Sequence, residues 1–279
     1  MDQPLVSIIV RTCQRPEVLR EALDSIRRQT YSNIQVIVVE DGENAAEDML
    51  EQDYSGMNYI YEATGRKQGR SRAGNRALQL ATGAYINFLD DDDIFFEQHV
   101  QILVDALKTS EDLAAYSIAE ERQIVKEKEG SGAHKIKRRT IRYNQPFNRL
   151  LLYTFNYIPI QSIMFHRSLF ETLGGFDENL EALEDWDLWV RYSLKTDFLY
   201  VNKVTSGYHV PYKLESKSAR AAGMREYVRP LHQKFNTYEL RISVGEVNRD
   251  MTYVIREYKN KGLLRYLRMF FRVVFLGER

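Results

Sequence analysis

Cysteine is nearly absent from this chain: Cys13 is the single one among 279 residues. An internal disulfide framework is therefore excluded, and the composition fits a reducing compartment. Placed in an apolar first strand, Cys13 reads as core packing rather than as a nucleophile. Net charge is absent too, with 39 Lys and Arg against 39 Asp and Glu. That balance argues against a bulk nucleic-acid binder and leaves room only for local basic patches. No apolar run reaches the roughly 20 residues of a membrane span. Met1-Asp2-Gln3-Pro4 shows neither the basic nor the apolar region of a secretory leader. The expectation is a cytoplasmic chain, with no internal repeat and no low-complexity tract.

What is present is a concentration of acid in one place. Phe88-Leu89 closes an apolar run that leads directly into Asp90-Asp91-Asp92-Asp93. Like charges crowded together need either full solvation or a bound cation with oxygen ligands. The preceding Gly83-Ala84-Tyr85-Ile86-Asn87 has strand character, so the acids fall where a strand stops. In parallel α/β sheets ligands bind at that end.

The rest of the N-terminal part repeats the same grammar. Leu5 to Thr12 is a β-branched strand, and Pro16 opens a helix carrying Val18, Leu19, Ala22, Leu23 and Ile26 on one face. Ile34 to Val39 and Met57 to Tyr61 read as strands, Ser71 to Ala81 as a helix, Ala84 to Leu89 as a strand, Ile94 to Leu107 as a helix and Leu113 to Ile118 as a strand. Continuous apolar strands alternating with helices indicate a parallel sheet covered on both faces. Glu120 to Arg142 is strongly charged around Gly130-Ser131-Gly132 and reads as a protruding hairpin or mobile loop. Its basic arm, Lys135, Lys137, Arg138, Arg139 and Arg142, fits either a solvated face or a contact with an anion. A helix is expected around Asp185 to Lys195 and a strand over Phe198 to Val204.

Acid falls at the ends of predicted elements in three places: Glu40-Asp41, Asp90 to Asp93, and Glu184-Asp185 with Asp187. Each has an ordinary structural use. Thr12 can simply end a strand, Asp41-Gly42 can be a turn, and Asp185 can stabilise a helix N-terminus. Together they suit sugar transfer from a nucleotide: hydrogen bonds to a base or ribose, a metal on a diphosphate, and a carboxylate that takes a proton from an attacking hydroxyl. Asp185 and Asp187 lie about 200 degrees apart on a helix. One of them, and we favour Asp185, can therefore address an acceptor.

At this point the residues resemble a known family, the GT-A glycosyltransferases of family 2, over roughly residues 4 to 210. Val6-Ser7-Ile8-Ile9-Val10-Arg11-Thr12 is similar to the family's first strand and Val36-Ile37-Val38-Val39-Glu40-Asp41-Gly42 to its second. Gly69-Arg70-Ser71-Arg72-Ala73-Gly74-Asn75-Arg76-Ala77-Leu78 looks like its donor-side helix. Phe88 to Asp93 resembles its Asp-x-Asp motif, and Gly174-Gly175-Phe176-Asp177 followed by Leu183-Glu184-Asp185-Trp186-Asp187 its acceptor-side pattern. The order and spacing of these segments make the resemblance specific. It implies an α/β fold with a Rossmann-like mixed sheet flanked by helices, spanning residues 1–210 as a nucleotide-binding half (1–120) and an acceptor half (121–210). Residues 211–279 would form a mainly helical extension.

By the same resemblance, Thr12, Glu40 and Asp41 would bind the donor's nucleoside, and Arg70 or Arg72 its base or phosphates. Asp90 and Asp91 would face the ribose, and Asp92 would hold Mn2+ or Mg2+, with the register within the four aspartates open by one residue. Asp185 would be the general base, with Glu184 and Trp186 on the acceptor side. His209, directly after Tyr208, departs from the commoner Tyr-Arg-x-His form, and a metal-ligand role stays open beside that of a surface histidine. Gly74 stands where many relatives carry Arg. The implied reaction is inverting transfer from a UDP-sugar, with dTDP- or GDP-sugars as alternatives, to a glycan or lipid-linked acceptor in surface polysaccharide synthesis.

A nucleotidyltransferase would share the acidic α/β half, but Arg11-Thr12-Cys13-Gln14-Arg15-Pro16 lacks the glycines of a triphosphate loop. A non-catalytic scaffold protein would be expected to have lost acids that are all present here. Glu246 to Leu276 reads as helical, broken at Gly262. Its apolar stripe of Leu263, Leu264, Leu267, Phe270, Phe271 and Val274 opposes Arg265, Arg268 and Arg272. Such a helix can dock on the domain, form a homodimer, or lie as a peripheral membrane helix on the inner leaflet.

Overall fold

The computed structural model describes residues 3–127 and 132–261. Its centre is β1 (Val6–Thr12), flanked by β2 (Ile34–Glu40) and β4 (Tyr85–Asp90), all parallel, with β3 (Tyr59–Ala63) at the edge beyond β2. Every residue of β1 is buried, because helices cover both faces and a parallel strand there needs apolar side chains on each. Alternation then sorts the core into two layers. Ile8 and Val10 pack with Leu19, Leu23 and Ile26 of α1 (Pro16–Arg27) and with Leu103 of α4 (His99–Lys108). Ile9 faces the opposite layer, with Ala73 and Ala77 of α3 (Arg70–Leu80), Phe88, Phe165 and Trp189.

The remaining sheet is mixed. β8 (Ile163–His166) inserts antiparallel between β4 and β6 (Ala114–Lys126), and β9 (Phe198–Pro211) continues parallel to β6. The order is β3-β2-β1-β4-β8-β6-β9-β5, with β7 (His134–Ile141) paired to β6. Several elements differ from the periodicity reading. Ile94-Phe95 is a short strand, β5, antiparallel to β9, so α4 starts only at His99. The apolar run there satisfies strand and helix templates equally, and the edge pairing decides between them. α2 (Glu47–Tyr54) is a weakly amphipathic helix with no sequence expectation behind it. Cys13 falls in the half-buried loop just past β1 rather than within the strand.

The charged segment is an antiparallel hairpin of β6 and β7. Three residues of its basic arm meet acid: Arg142 lies 3.3 Å from Glu121, Lys135 3.7 Å from Glu127 and Arg139 3.9 Å from Glu120. Farther along, α5 (Arg149–Leu152), α6 (Ser168–Leu173) and α7 (Glu184–Ser193) lie on the Trp189 side of the sheet.

α8 (Leu214–Phe235) and α9 (Val244–Lys261) fold back onto these helices. Phe235 and His232 stack edge-on to Trp186. The buried Asp250 carboxylate accepts from Arg149 N at 3.1 Å, while Asn148 Nδ2 donates to the Asp250 carbonyl at 2.9 Å. The apolar stripe from Leu263 to Val274 lies outside the described residues.

Gly74 lets α3 approach the turn before α7: a Cβ there would stand 2.6 Å from Phe176 Cε2 and 2.8 Å from Cδ2. Gly74→Ala would gain about 1 kcal/mol of helix propensity but lose about 1–3 kcal/mol to overpacking. The expected net result in urea denaturation is an unchanged or lower midpoint, whereas a clear rise would show that Phe176 yields freely.

Candidate active site

Strand ends bring the acids together. Arg11 pairs in register with Asp90 and Thr12 with Glu40, so the ends of β1, β2 and β4 form one rim. Arg11 is the residue on which the rim turns. Its guanidinium is buried, with Nη2 donating to Asp90 Oδ1 at 2.7 Å and Nη1 to Glu184 Oε1 at 2.9 Å. It also lies 5.3 Å from the centroid of the Phe176 ring. Burial alone would lower the pKa of Arg11, but Asp90 and Glu184 outweigh it and the net shift is upward. Burial likewise opposes ionisation of Asp90, yet Arg11, with Arg70 and Arg15, holds its carboxyl below the usual range. The sequence did contain a signal for Arg11, a lone charge at the end of an otherwise apolar strand, which must find partners when buried.

The acidic turn divides into distinct environments. Asp91 is buried, receives the Thr12 hydroxyl at 2.7 Å and is paired with Arg15. Burial pushes its carboxyl up to about 6 despite Arg15, and Asp92 adds to the rise. Asp93 is buried and accepts the His209 amide at 3.0 Å. Asp92 is different: its side chain is 47% exposed and its ion pair with Arg15 is long, at 3.7 Å. Carboxylate oxygens turned to solvent beside a second carboxylate suit a hard divalent cation, so this donor set fits Mn2+ or Mg2+ through Asp92.

Several expected site residues are occupied elsewhere. Glu40, expected at the donor, is fully buried: it accepts the amides of Gln14, Ala45 and Ala46 at 3.0 Å each and the Tyr61 hydroxyl at 2.6 Å. It organises the loop after β2 and offers no face to a ligand. Asp41 is buried and ties that rim to the start of α3, accepting Gln68 N at 2.6 Å and Gly69 N at 3.0 Å. Trp186, expected at the acceptor, is 2% exposed and donates its indole N–H to the Leu152 carbonyl at 2.6 Å. An aromatic beside two acids looks like a platform in sequence, but helical phase turns it into the core. Glu184 is buried under Arg11. Arg70 is 57% exposed and reaches Glu184 Oε1 at 3.9 Å. Arg72, also exposed, pairs with Glu178 at 3.2 Å.

The start of α7 separates the two base candidates. Asp187 is fully buried: Oδ2 accepts Arg191 Nε at 2.9 Å, and Oδ1 is 2.8 Å from Lys234 Nζ and receives the Tyr238 hydroxyl at 3.2 Å. It is a structural counter-ion joining α7 to α8. Asp185 is part-buried and accepts the Asn156 amide at 2.9 Å and Trp186 N at 2.8 Å. No cation is paired with it at salt-bridge distance among the described residues. Burial pushes its carboxyl up to about 7, and the neighbouring Glu184 adds to that rise. His209 donates Nδ1–H to the Asp92 carbonyl at 2.5 Å, while its Nε2 is buried without a hydrogen-bond partner among the described residues. Its ring therefore meets the acidic turn through the backbone rather than through a carboxylate.

A family model described as Glycosyl transferase family 2 matches residues 7–174. An uncharacterized glycosyltransferase of Rickettsia prowazekii is 28% identical over 199 residues, covering 68% of this chain and 58% of that protein. Another, from Methanocaldococcus jannaschii, is 29% identical over 201 residues, covering 68% and 65% respectively. The match thus takes in less than two thirds of each relative's own length. Among solved structures, S. aureus TarS 1–349 in complex with UDP-GlcNAc superposes with a TM-score of 0.68 at 15% identity, over 91% of this chain and 73% of that one. The Pyrobaculum calidifontis mannosyltransferase PcManGT, in complex with GDP-Man and Mn2+, gives a TM-score of 0.61 at 18% identity, over 86% and 67%. At such identities the likeness establishes a shared fold: a curled mixed sheet flanked by helices.

Removing Arg11 should expose how the rim is held. Arg11→Met is expected to cost about 3–5 kcal/mol in urea denaturation at neutral pH, because buried Glu184 and the partly exposed Asp90 lose their shared cation. Asp90, whose pKa is depressed, contributes stability present above about 4 and lost as pH falls through its lowered value. The gap between variant and parent should therefore narrow in acid. A constant gap down to low pH would point to packing, not charge.

Proposed function

The chain belongs to glycosyl transferase family 2, and from that premise we propose an inverting, metal-dependent transfer from a nucleoside-diphosphate sugar to a hydroxyl of a glycan or lipid-linked acceptor. The observation that carries this reading is the meeting of the Asp90–Asp93 turn with the Glu184-Asp185 helix start across the single Arg11 guanidinium. One element offers exposed oxygen for a diphosphate-bound cation, and the other offers a carboxylate able to take up a proton near neutrality.

In this scheme the acceptor oxygen attacks the anomeric carbon from the face opposite the leaving group. The bond from that carbon to the diphosphate oxygen breaks, its electron pair leaves with the nucleoside diphosphate, and the acceptor proton passes to an oxygen of Asp185. Glu184 acts through Arg11 as a positioning residue, fixing the helix start relative to β1 and β4. Asn156 orients the Asp185 carboxylate through its amide. In this reading exposed Arg70 meets the diphosphate and Asp90 the nucleoside, with the buried Thr12, Asp41 and Asp91 supporting that side of the rim. A bound Mn2+ or Mg2+ at Asp92 would offset charge on the departing diphosphate.

A uracil donor is the preferred case, supported by the UDP-GlcNAc complex of TarS; the GDP-Man and Mn2+ complex of PcManGT supports the broader donor class and the cation. A lipid-linked acceptor in surface polysaccharide synthesis would place the protein at a membrane face. No helix of the described residues is long and apolar enough to cross a membrane.

Asp185→Asn is expected to reduce transfer by about 100- to 10,000-fold, the range for loss of a general base, while leaving donor affinity near that of the parent. The parent's kcat/KM should rise with pH and level off above about 7, since only the deprotonated carboxylate accepts the proton. Asp92→Ala should weaken Mn2+-dependent donor binding instead. A donor-panel hydrolysis assay with and without Mn2+ reads which nucleoside diphosphate is released. Near-parental turnover by Asp185→Asn would remove it as the base.

A further inference from the structure

Beyond the diphosphate cation, we propose that Glu21, His134 and His209 form a second metal site, for a borderline divalent ion of the zinc class, which pins the β6–β7 hairpin to α1 beside the acidic turn. A carboxylate oxygen of Glu21 and a ring nitrogen from each histidine lie within 4.8 Å of one another. Bonds of roughly 2.0–2.1 Å at tetrahedral angles would draw such donors to about 3.3 Å apart. The half-exposed Glu21 side chain supplies the swing that this closure needs.

An unmet lone pair carries the argument. The Asp92 carbonyl can only accept, so His209 Nδ1 holds the ring proton and Nε2 is left as a bare acceptor. That Nε2 is buried, His209 is 7% exposed, and no hydrogen-bond donor among the described residues reaches the atom. A buried acceptor without a partner is costly, and a metal ion satisfies it. Giving the other ring N–H to a backbone carbonyl is also how metal-binding histidines are commonly oriented. The second imidazole, His134, is close by, with the ring centroids 4.5 Å apart. It is oriented by the Gly132 carbonyl, 3.0 Å from its Nδ1.

The hairpin's approach to α1 is tight. Gly132 has φ +70°, and a Cβ there would stand 2.6 Å from the Glu17 carbonyl oxygen. The Glu21 carboxylate already lies 3.8 Å from His134 Nδ1. Two imidazoles with one carboxylate favour zinc-class metals over Mg2+ or Ca2+, which prefer all-oxygen sets. This donor set is thereby chemically distinct from the one at Asp92.

The test is Zn2+ titration of the full chain with excess Mg2+ present to occupy oxygen-only sites, read by calorimetry and, with Co2+ substituted, by visible absorption. One tight equivalent is expected. It should survive Asp92→Ala and weaken at least about tenfold, a loss typical even of outer-shell partners, in both His134→Ala and Glu21→Gln. Circular dichroism checks that each variant folds; should His134→Ala fail to do so, Glu21→Gln on the surface of α1 gives the same readout. The proposal is overturned if the parent binds no Zn2+, if a folded Glu21→Gln or His134→Ala binds as the parent does, or if Asp92→Ala abolishes binding.

Discussion

A guanidinium removed from water must be neutralised, and the geometry of this rim follows from how Arg11 meets that demand. Its hydrogen bonds run to two carboxylates that lie 79 and 173 residues away in sequence. They close a bridge between a strand of the parallel half and a helix that follows the antiparallel insertion. An uncompensated buried charge costs far more than a paired one returns, so the bridge works chiefly as a constraint: Asp90 and Glu184 can approach each other only with Arg11 between them. Phe176 covers the guanidinium, and the close approach at Gly74 seats Phe176. The same arrangement explains Asp185. Arg11 is spent on Asp90 and Glu184, so the adjacent carboxylate receives burial without a counter-ion of its own, and its proton affinity rises.

The strands were legible because continuous β-branched runs such as Val6 to Val10 and Val36 to Val39 have few alternative conformations in a chain of this composition. The acids at their ends were legible as positions but not as roles. Glu40, Asp41, Asp91, Asp187 and Asp185 look alike in sequence, and what separates them is which group donates to each. Glu40 is filled by loop amides, Asp187 by Arg191 and Lys234, and Asp91 by Thr12 and Arg15. Of those partners only Arg191, four residues on from Asp187 in the same helix, follows from local spacing. Trp186 illustrates the same limit, since one helical step away from Asp185 turns the side chain from the cleft into the core.

The antiparallel insertion escaped the sequence reading for a related reason. β8 has four residues, Ile163–His166, too short a run to carry direction or period, and its place between β4 and β6 is fixed by pairing at Ile86↔Phe165 and Ala114↔Phe165. β5 has two residues and is defined only by its partner β9. The family resemblance implied a mixed sheet where alternation alone indicated a parallel one. That implication came from an ordered set of segments, not from any single strand.

Charge balance in the cleft links the two halves of the site. Asp90, Asp91, Asp92, Glu184 and Asp185 are opposed by Arg11, Arg15 and Arg70, so negative groups outnumber positive ones near the rim. The chain as a whole is neutral, so this imbalance is local. A dianionic leaving group would worsen it and be repelled. Arg15, half-exposed, gives Nε and Nη2 to Asp91 and makes only a long contact with Asp92, so its charge is committed to the acids and cannot also offset a diphosphate. In the proposed reaction a divalent cation carried in with the donor would reverse the sign where the diphosphate sits, and Asp92, with its solvent-facing oxygens, would receive it. Burial is the main cause of the raised proton affinity of Asp185, and the same crowding of acid that adds to it makes the neighbouring turn receptive to a cation.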